Sequence, residues 1–539
     1  MTTQQQLDDA RAWSSLLTAE RTSGVDASSF RRLARRVAME ADDRRASFAV
    51  RAPFTGEALG VLPRGTPDDV DGAVRRARAA QPAWAARSVR ARARIMLRFH
   101  DLLLDRSEEA LDLIQLESGK ARRHALEEVL DTAVVALHYA SHAARYLRPR
   151  RHRGALPLLT VAWELRHPVG VVGVIAPWNF PLILSITDVV AALMAGNAAV
   201  LVPDVQSSFT ALWAAELLHH AGLPRDVFLV VTGEGRELGP ALVDRVDFVM
   251  FTGSTRTGKL VARQAAERLV GASLELGGKN PMVVLEDASL ERAVDGAVRG
   301  AFVGAGQVCV STERIYVHAS LYDRFAVRLA ERARALRLGA ALDYSADMGS
   351  LTTERQLATT EAHVRDALEK GAMLLAGGHR RPDLGALFFE PTVLAGVTPA
   401  MMLHAEETFG PVVALYPFES VDEAIARANA TRYGLNASVW SRSTRRARAV
   451  ARRLHAGTVN VNEAYAATWG STASPIGGMK ESGLGRRHGA DGILKYTEAQ
   501  TVAVQRGLPI APPAFLPVDR YARVMTALVK VMRYVPGLR

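Results

Sequence analysis

"VVGVIAPWNFPLILSITDVVAALMAGNAAVLVP", Val171 to Pro203, decides the fold. It opens on an apolar run of strand length and turns through Pro177, Asn179 and Pro181. A helix-length apolar stretch follows, Gly196 interrupts it, and "AAVLV" closes the segment. Short Val/Ile runs bounded by turn residues read as buried strands, and the longer stretch between them as a crossover helix. The part from Val169 to Ile186 is long enough for a membrane span. Two prolines and an asparagine in its middle argue instead for strand, turn and helix start. Downstream, the strand candidates "VFLVV" and "FVMFTG" alternate with the helix candidates "FTALWAAELLHHAG" and "TGKLVARQAAERL". This is the βαβ signature of a doubly wound sheet. A second α/β alternation runs from about Lys279 to Asp491.

Working outward, residues from Asp69 to Leu104 and the stretch beginning "LESGKARRHALEEVL" carry helical spacing. In "LLTVAWEL", Leu158, Thr160, Ala162 and Glu164 alternate with Leu159, Val161, Trp163 and Leu165, which predicts an extended hairpin. The chain closes on "YARVMTALVKVMRYVPGLR". There Val524, Leu528, Val531 and Val535 share one helix face and Arg523, Lys530 and Arg533 lie elsewhere. A helix docked on the body or on a partner subunit is expected, with a membrane-surface role as the alternative.

Composition narrows the function. With 539 residues, 48% hydrophobic and 23% charged, the chain reads as a multi-domain globular protein. Its single cysteine fits a reducing compartment, and "MTTQQQLDDARAW" has no apolar signal core, so a cytoplasmic location is expected. The net charge of +11 is scattered and interleaved with Asp and Glu, unlike the patch of a nucleic-acid binder. His138 and His142 stand one helical turn apart, but no third metal ligand accompanies them, and no metal is expected. No G-x-S-x-G elbow appears, which argues against a serine hydrolase.

Several loops carry chemistry. "GEGRELG" (Gly233 to Gly239) and "FTGSTRTG" (Phe251 to Gly258) each follow a strand and open a helix, where backbone N–H groups favour phosphate. In "APWNFP", Asn179 sits at the carboxyl end of a strand, placed to aim its amide at an oxyanion. In "LELGGKNP", Glu275 ends a strand before a Gly-Gly turn, and an apolar setting would raise its pKa toward general-base work. "EETFGPV" adds a carboxylate and an aromatic ring suited to ribose hydroxyls and a planar ring. "GQVCVSTE" holds the lone Cys309, a nucleophile or a small core residue on its own sequence.

Together these motifs resemble the aldehyde dehydrogenase superfamily. "PWNFP", "GNAAVLVP", "FTGSTRTG", "LELGGKNP", "GQVC", "EETFGPV" and "PIGGMKESGLGRRHG" occur in the family's order, from about Pro53 to Val504. "LKYTEAQTVA" and the C-terminal extension are similar to the actinobacterial branch labelled NADP-dependent succinate-semialdehyde dehydrogenase. The resemblance implies a Rossmann-type cofactor domain (1–149 and 169–276), an α/β catalytic domain (277–490), a β-hairpin oligomerisation arm (150–168 and 491–505) and a basic helical extension (506–539). It implies Cys309 as nucleophile, Asn179 and the Cys309 N–H as oxyanion donors, and Glu275 as the base that activates water. It places Trp178, Asn179, Val202, Pro203, Asp204, Val205, Gly253, Ser254, Leu276, Glu407 and Phe409 at the cofactor, NADP, with NAD as the alternative. A homodimer or homotetramer acting on a small aldehyde is implied.

Three departures stand out. The family's usual lysine after this strand is replaced by Val202, and the carboxylate that selects NAD in many relatives is replaced by Val205, leaving Arg256 as a substitute cation. The arginines that clamp a substrate carboxylate are replaced by Thr187 and Val303, which makes an apolar medium-chain or aromatic aldehyde an alternative to succinate semialdehyde. Arg487 stands where many relatives have Glu. A catalytically silent structural or binding protein is the reading from another class.

Overall fold

The computed structural model describes residues 25–39, 44–155, 159–506 and 510–535. The opening segment read for a secretory signal, and Leu158 of the predicted hairpin, lie outside these residues. The strands, in chain order, are β1 (Ser47–Arg51), β2 (Ala58–Pro63), β3 (Arg150–Arg153), β4 (Thr160–Pro168), β5 (Val171–Ala176), β6 (Ala198–Pro203), β7 (Phe228–Val230), β8 (Phe248–Thr252), β9 (Gly271–Glu275), β10 (Asn280–Val284), β11 (Thr312–His318), β12 (Met373–Ala376), β13 (Thr392–Ala395), β14 (Val412–Phe418), β15 (Asn436–Trp440), β16 (Thr458–Val461), β17 (Gly483–Leu484) and β18 (Thr497–Gln505).

The decisive stretch folds as β5, the helix Pro181–Ala195 and β6. Pro181 starts that helix with a preset φ, and Gly196 ends it at φ 101, a left-handed value that costs glycine little. The first sheet has the order β17-β9-β8-β5-β6-β7 and is parallel except for β17. The chain builds β5, β6 and β7 in one direction, then returns to the other side of β5 for β8 and β9. A crevice therefore opens beyond the carboxyl ends of β5 and β8, the usual ligand position in such sheets. The second sheet, β12-β13-β14-β11-β10-β15-β16, is parallel apart from β12. Each sheet is buried between helices, which explains the unbroken apolar runs of β5, β6, β8 and β10.

β3 and β4 pair as the expected hairpin, and β18 adds antiparallel to β4, with Val502 opposite Trp163. Two expectations need adjusting. The segment 277–490 is not confined to the second sheet: β17 pairs with Leu274 and Glu275 of β9, so "SGLG" returns to the edge of the first sheet. The C-terminal helix, Val518–Met532, is not docked on the body, since none of its residues is buried. Among the described residues no helix is long and apolar enough to cross a membrane.

Candidate active site

The site is assembled from loops at the carboxyl edge of both sheets. The turn after β5 carries Trp178 and Asn179. Lys120 Nζ donates to the Asn179 carbonyl at 2.7 Å and pairs with Glu128 at 2.5 Å. The other Glu128 oxygen accepts the Leu182 and Ile183 N–H groups, filling the orphan donors at the helix start. Asn179 is buried, and its Nδ2 donates to the Gln307 carbonyl at 2.9 Å. One amide hydrogen is thereby used and the other is left for a ligand.

Cys309 lies between a left-handed turn and β11. Gly304, Ala305 and Gly306 have φ of 54, 55 and 71. A side chain at Gly306 would put its Cβ 2.0 Å from the Gly410 carbonyl, so only glycine lets this loop meet the Phe409–Gly410 turn. Asn280 Nδ2 holds the Cys309 carbonyl at 2.8 Å. Burial, then Glu275 and Glu407, push the thiol up to about 12. The three sequence candidates thus meet: Asn179 and Cys309 line one cavity, and Glu275 is close enough to act on the sulfur electrostatically.

Glu275 ends β9 with Oε1 buried and without a hydrogen-bond partner. Burial pushes its carboxyl up to about 7, against the pull of Arg487 and Lys495. An uncommitted carboxylate with a pKa near neutrality is suited to take a proton from water.

Around the crevice, Glu407 Oε1 accepts the Gly278 N–H at 2.8 Å, and Gly277 leaves room for it, since a Cβ there would collide with the carboxylate. Burial and Glu313 push Glu407 up to about 8. The loop behind it is fixed by Glu313, which accepts from Thr408 N and Phe409 N at 3.0 Å and pairs with buried Lys279. Phe409 meets Trp178 edge to face, with centroids 5.8 Å apart. Ser254 caps the helix Thr255–Glu267 beside Gly253, with Arg256 exposed on its first turn. Leu276 packs over Gly258. At the far end Pro203 ends β6, and Asp204 and Val205 are half-buried; burial and then nearby Glu234 shift the Asp204 carboxyl upward and the Gln206 N–H lowers it. Val202 is buried in the core beneath. Carboxylate, aromatic wall, glycine-lined crevice and capped helix end fit a nicotinamide dinucleotide.

The cavity beside Cys309 is lined by Phe180, Ile183, Leu184, Val308, Tyr465 and Trp469, with Glu127 as the carboxylate in its wall. Tyr465 OH donates to Glu127 at 2.7 Å. Thr187 and Val303 do not border it. Thr187 Oγ1 accepts from Arg487 at 3.2 Å, and Val303 lines a neighbouring cavity of about 280 Å³ with His124 and Arg299. Sequence reasoning missed Lys120, Glu128, Glu127, Tyr465, Trp469 and Glu313. Glu127 and Glu128 sit on the helix Arg122–Tyr146 and Lys120 in the turn just before it, in a stretch that reads as helical with solvated charges. His138 stacks on His142 at 4.6 Å and meets Tyr146 at 3.3 Å, and among the described residues no group of three metal-ligating side chains occurs.

The sequence profile of the aldehyde dehydrogenase family matches residues 39–502. A Mycolicibacterium smegmatis protein, named provisionally as an NADP-dependent succinate-semialdehyde dehydrogenase, is 51% identical over 95% of this chain and 99% of its own length. The 3-sulfolactaldehyde dehydrogenase of Pseudomonas putida is 39% identical over 85% of this chain and 93% of its own length. Among solved structures, the NAD+ complex of a Bacillus cereus aldehyde dehydrogenase superposes with a TM-score of 0.82 at 37% identity, covering 85% of this chain and 93% of that one. The NAD-dependent aldehyde dehydrogenase of Sinorhizobium meliloti reaches 0.84 at 38% identity, covering 89% and 95%. Motif order, sheet topology and these likenesses agree, and this chain belongs to the aldehyde dehydrogenase family.

Proposed function

We propose that this protein oxidises an aldehyde to its carboxylate, with Cys309 as nucleophile, Glu275 as base and Asn179 as oxyanion donor. The observation that carries the reading is the meeting of Cys309 and Asn179 in one cavity with Glu275 acting on the sulfur. The thiol gives its proton to solvent water and the sulfur attacks the carbonyl carbon. The free Asn179 N–H and the Cys309 N–H receive the oxyanion. Glu407, Phe409, Trp178, Gly253, Ser254 and Leu276 would hold a nicotinamide dinucleotide, which would supply the acceptor for the hydride lost as the thiohemiacetal becomes a thioester. Glu275 then takes a proton from the water that attacks the thioester, releasing acid and thiol.

Succinate semialdehyde and NADP are supported by the names of relatives 47–51% identical. Exposed Arg256, at a helix start, is a cation available to a 2′-phosphate, while Asp204 and Glu234 support NAD as a second reading. The apolar cavity, with Glu127 in its wall and no Lys or Arg, supports medium-chain or aromatic aldehydes as a second substrate reading. The division into cofactor, catalytic and arm segments, a homodimer or homotetramer joined through the β3-β4-β18 arm, and a cytoplasmic location complete the proposal.

The test is initial-rate measurement of cofactor reduction with succinate semialdehyde, hexanal and benzaldehyde, each with NADP and NAD. Cys309→Ser is expected to abolish turnover. Rates unchanged in that variant, or none with any aldehyde, would overturn the reading.

A further inference from the structure

The last helix, Val518–Met532, is the largest element left unexplained by an aldehyde-oxidising site. With about 100° between successive residues, Val524, Leu528, Tyr521, Met532, Met525 and Val518 follow one another around one half of its circumference. Arg520, Arg523 and Lys530 fall on the other half, with Arg533 continuing it, and Asp519 is the only acid there. None of this apolar half is buried. Val518 is 68% and Val524 60% exposed, and Phe515, just ahead of the helix, is 80% exposed. A stripe this wide is normally buried against something.

Charge argues for what covers it. The body of this chain, or a second copy, carries a net positive charge, which disfavours a helix whose polar half is cationic. An anionic bilayer complements that half and receives the apolar half at its headgroup boundary. At 15 residues the helix is too short to span, consistent with lying in the interface plane. The segment before it contains Pro512, Pro513 and Pro517, a composition suited to a stiff spacer between the helix and the body.

We infer that the Val518–Met532 helix is a reversible anchor for membranes rich in anionic phospholipid. The full-length protein tests this by co-flotation with vesicles of phosphatidylglycerol and phosphatidylcholine, compared with phosphatidylcholine alone. Binding to the anionic vesicles is expected to be at least tenfold stronger and to fall as salt rises. Leu528→Asp and Lys530→Glu are expected to lower it tenfold or more while aldehyde oxidation, which uses neither residue, is unchanged. Equal binding to both vesicle types, undiminished binding by Leu528→Asp, or no vesicle binding by the wild type would overturn the inference. So would a wild type that ignores vesicles and loses its oligomeric state with Leu528→Asp, since a second copy would then occupy the face.

Discussion

Arg487 and Asp188 form an ion pair inside the protein, with side chains only 4% and 3% exposed. Lys495 Nζ joins Asp188 at 2.9 Å, and Tyr496 OH donates to it at 2.6 Å. Burial opposes ionisation of Asp188, but the two cations hold its carboxyl well below the usual range. Two buried cations against one anion leave a positive surplus, and Lys495 also reaches Ser273, two residues before Glu275 on the same face of β9.

That surplus predicts a pH profile. Glu275 must be ionised to act as base, so activity should rise through an acid limb near its value of about 7. Arg487, Lys495 and Arg486 stabilise the ionised form, and Asp188 opposes it. Arg487→Gln and Lys495→Met should each move the limb of kcat alkaline by up to about one unit. A pH series of steady-state rates checks this, and an unmoved limb in both variants refutes it.

Cys309 is the only cysteine, so alkylation reads one site. With the thiol pushed up to about 12, iodoacetamide labelling of the unliganded protein should be slow at neutral pH and climb about tenfold per pH unit. Glu275→Gln and Glu407→Gln each remove a nearby anion and should speed labelling. Glu275→Gln should also lower turnover by about 10²–10⁴-fold. Mass spectrometry of timed samples follows the label, and a plateau below pH 9 would contradict the assignment.

Glu127 stands in an otherwise apolar cavity, where burial pushes its carboxyl up and the Tyr465 hydroxyl lowers it. A carboxylate-tailed aldehyde meets a like charge there. Glu127→Gln should raise kcat/KM for succinate semialdehyde relative to hexanal by about tenfold. Paired competition assays measure the ratio, and a constant ratio removes Glu127 from specificity.

Lys120 and Glu128 are buried partners, and burial drives each toward its neutral form. Glu128→Gln strips a charge from the pair and an acceptor from the helix start, and should cost about 3–5 kcal/mol. Lys120→Met with Glu128→Leu should recover much of that loss, since no unpaired charge remains. Urea unfolding midpoints decide between these outcomes.

The candidate reacting groups were legible because each sits in a short loop with its own turn residues: Asn179 between prolines, Glu275 before Gly277 and Gly278, Cys309 after Gly306. Strand and crossover runs around them have periodicities that a buried parallel sheet imposes, so the alternation of strands and helices was legible as well. Substrate contacts were less legible. Thr187 and Val303 were expected beside the substrate by position in a motif, yet one faces Arg487 and the other a neighbouring cavity. Tyr465 and Trp469 come from a segment without any motif, brought by the fold into the cavity that Cys309 lines.

Composition and motif order therefore determined the family and picked out Cys309 and Glu275 as candidate nucleophile and base, since covalent chemistry depends on residue type and local turn geometry. Tertiary structure alone decided that Arg487 answers Asp188, that Lys120 and Glu128 brace Asn179, and that the cavity beside Cys309 is apolar. Desolvation and Coulomb interaction act between side chains brought together by folding, and Asp188 and Arg487 are near neighbours only after the chain has returned to its first sheet.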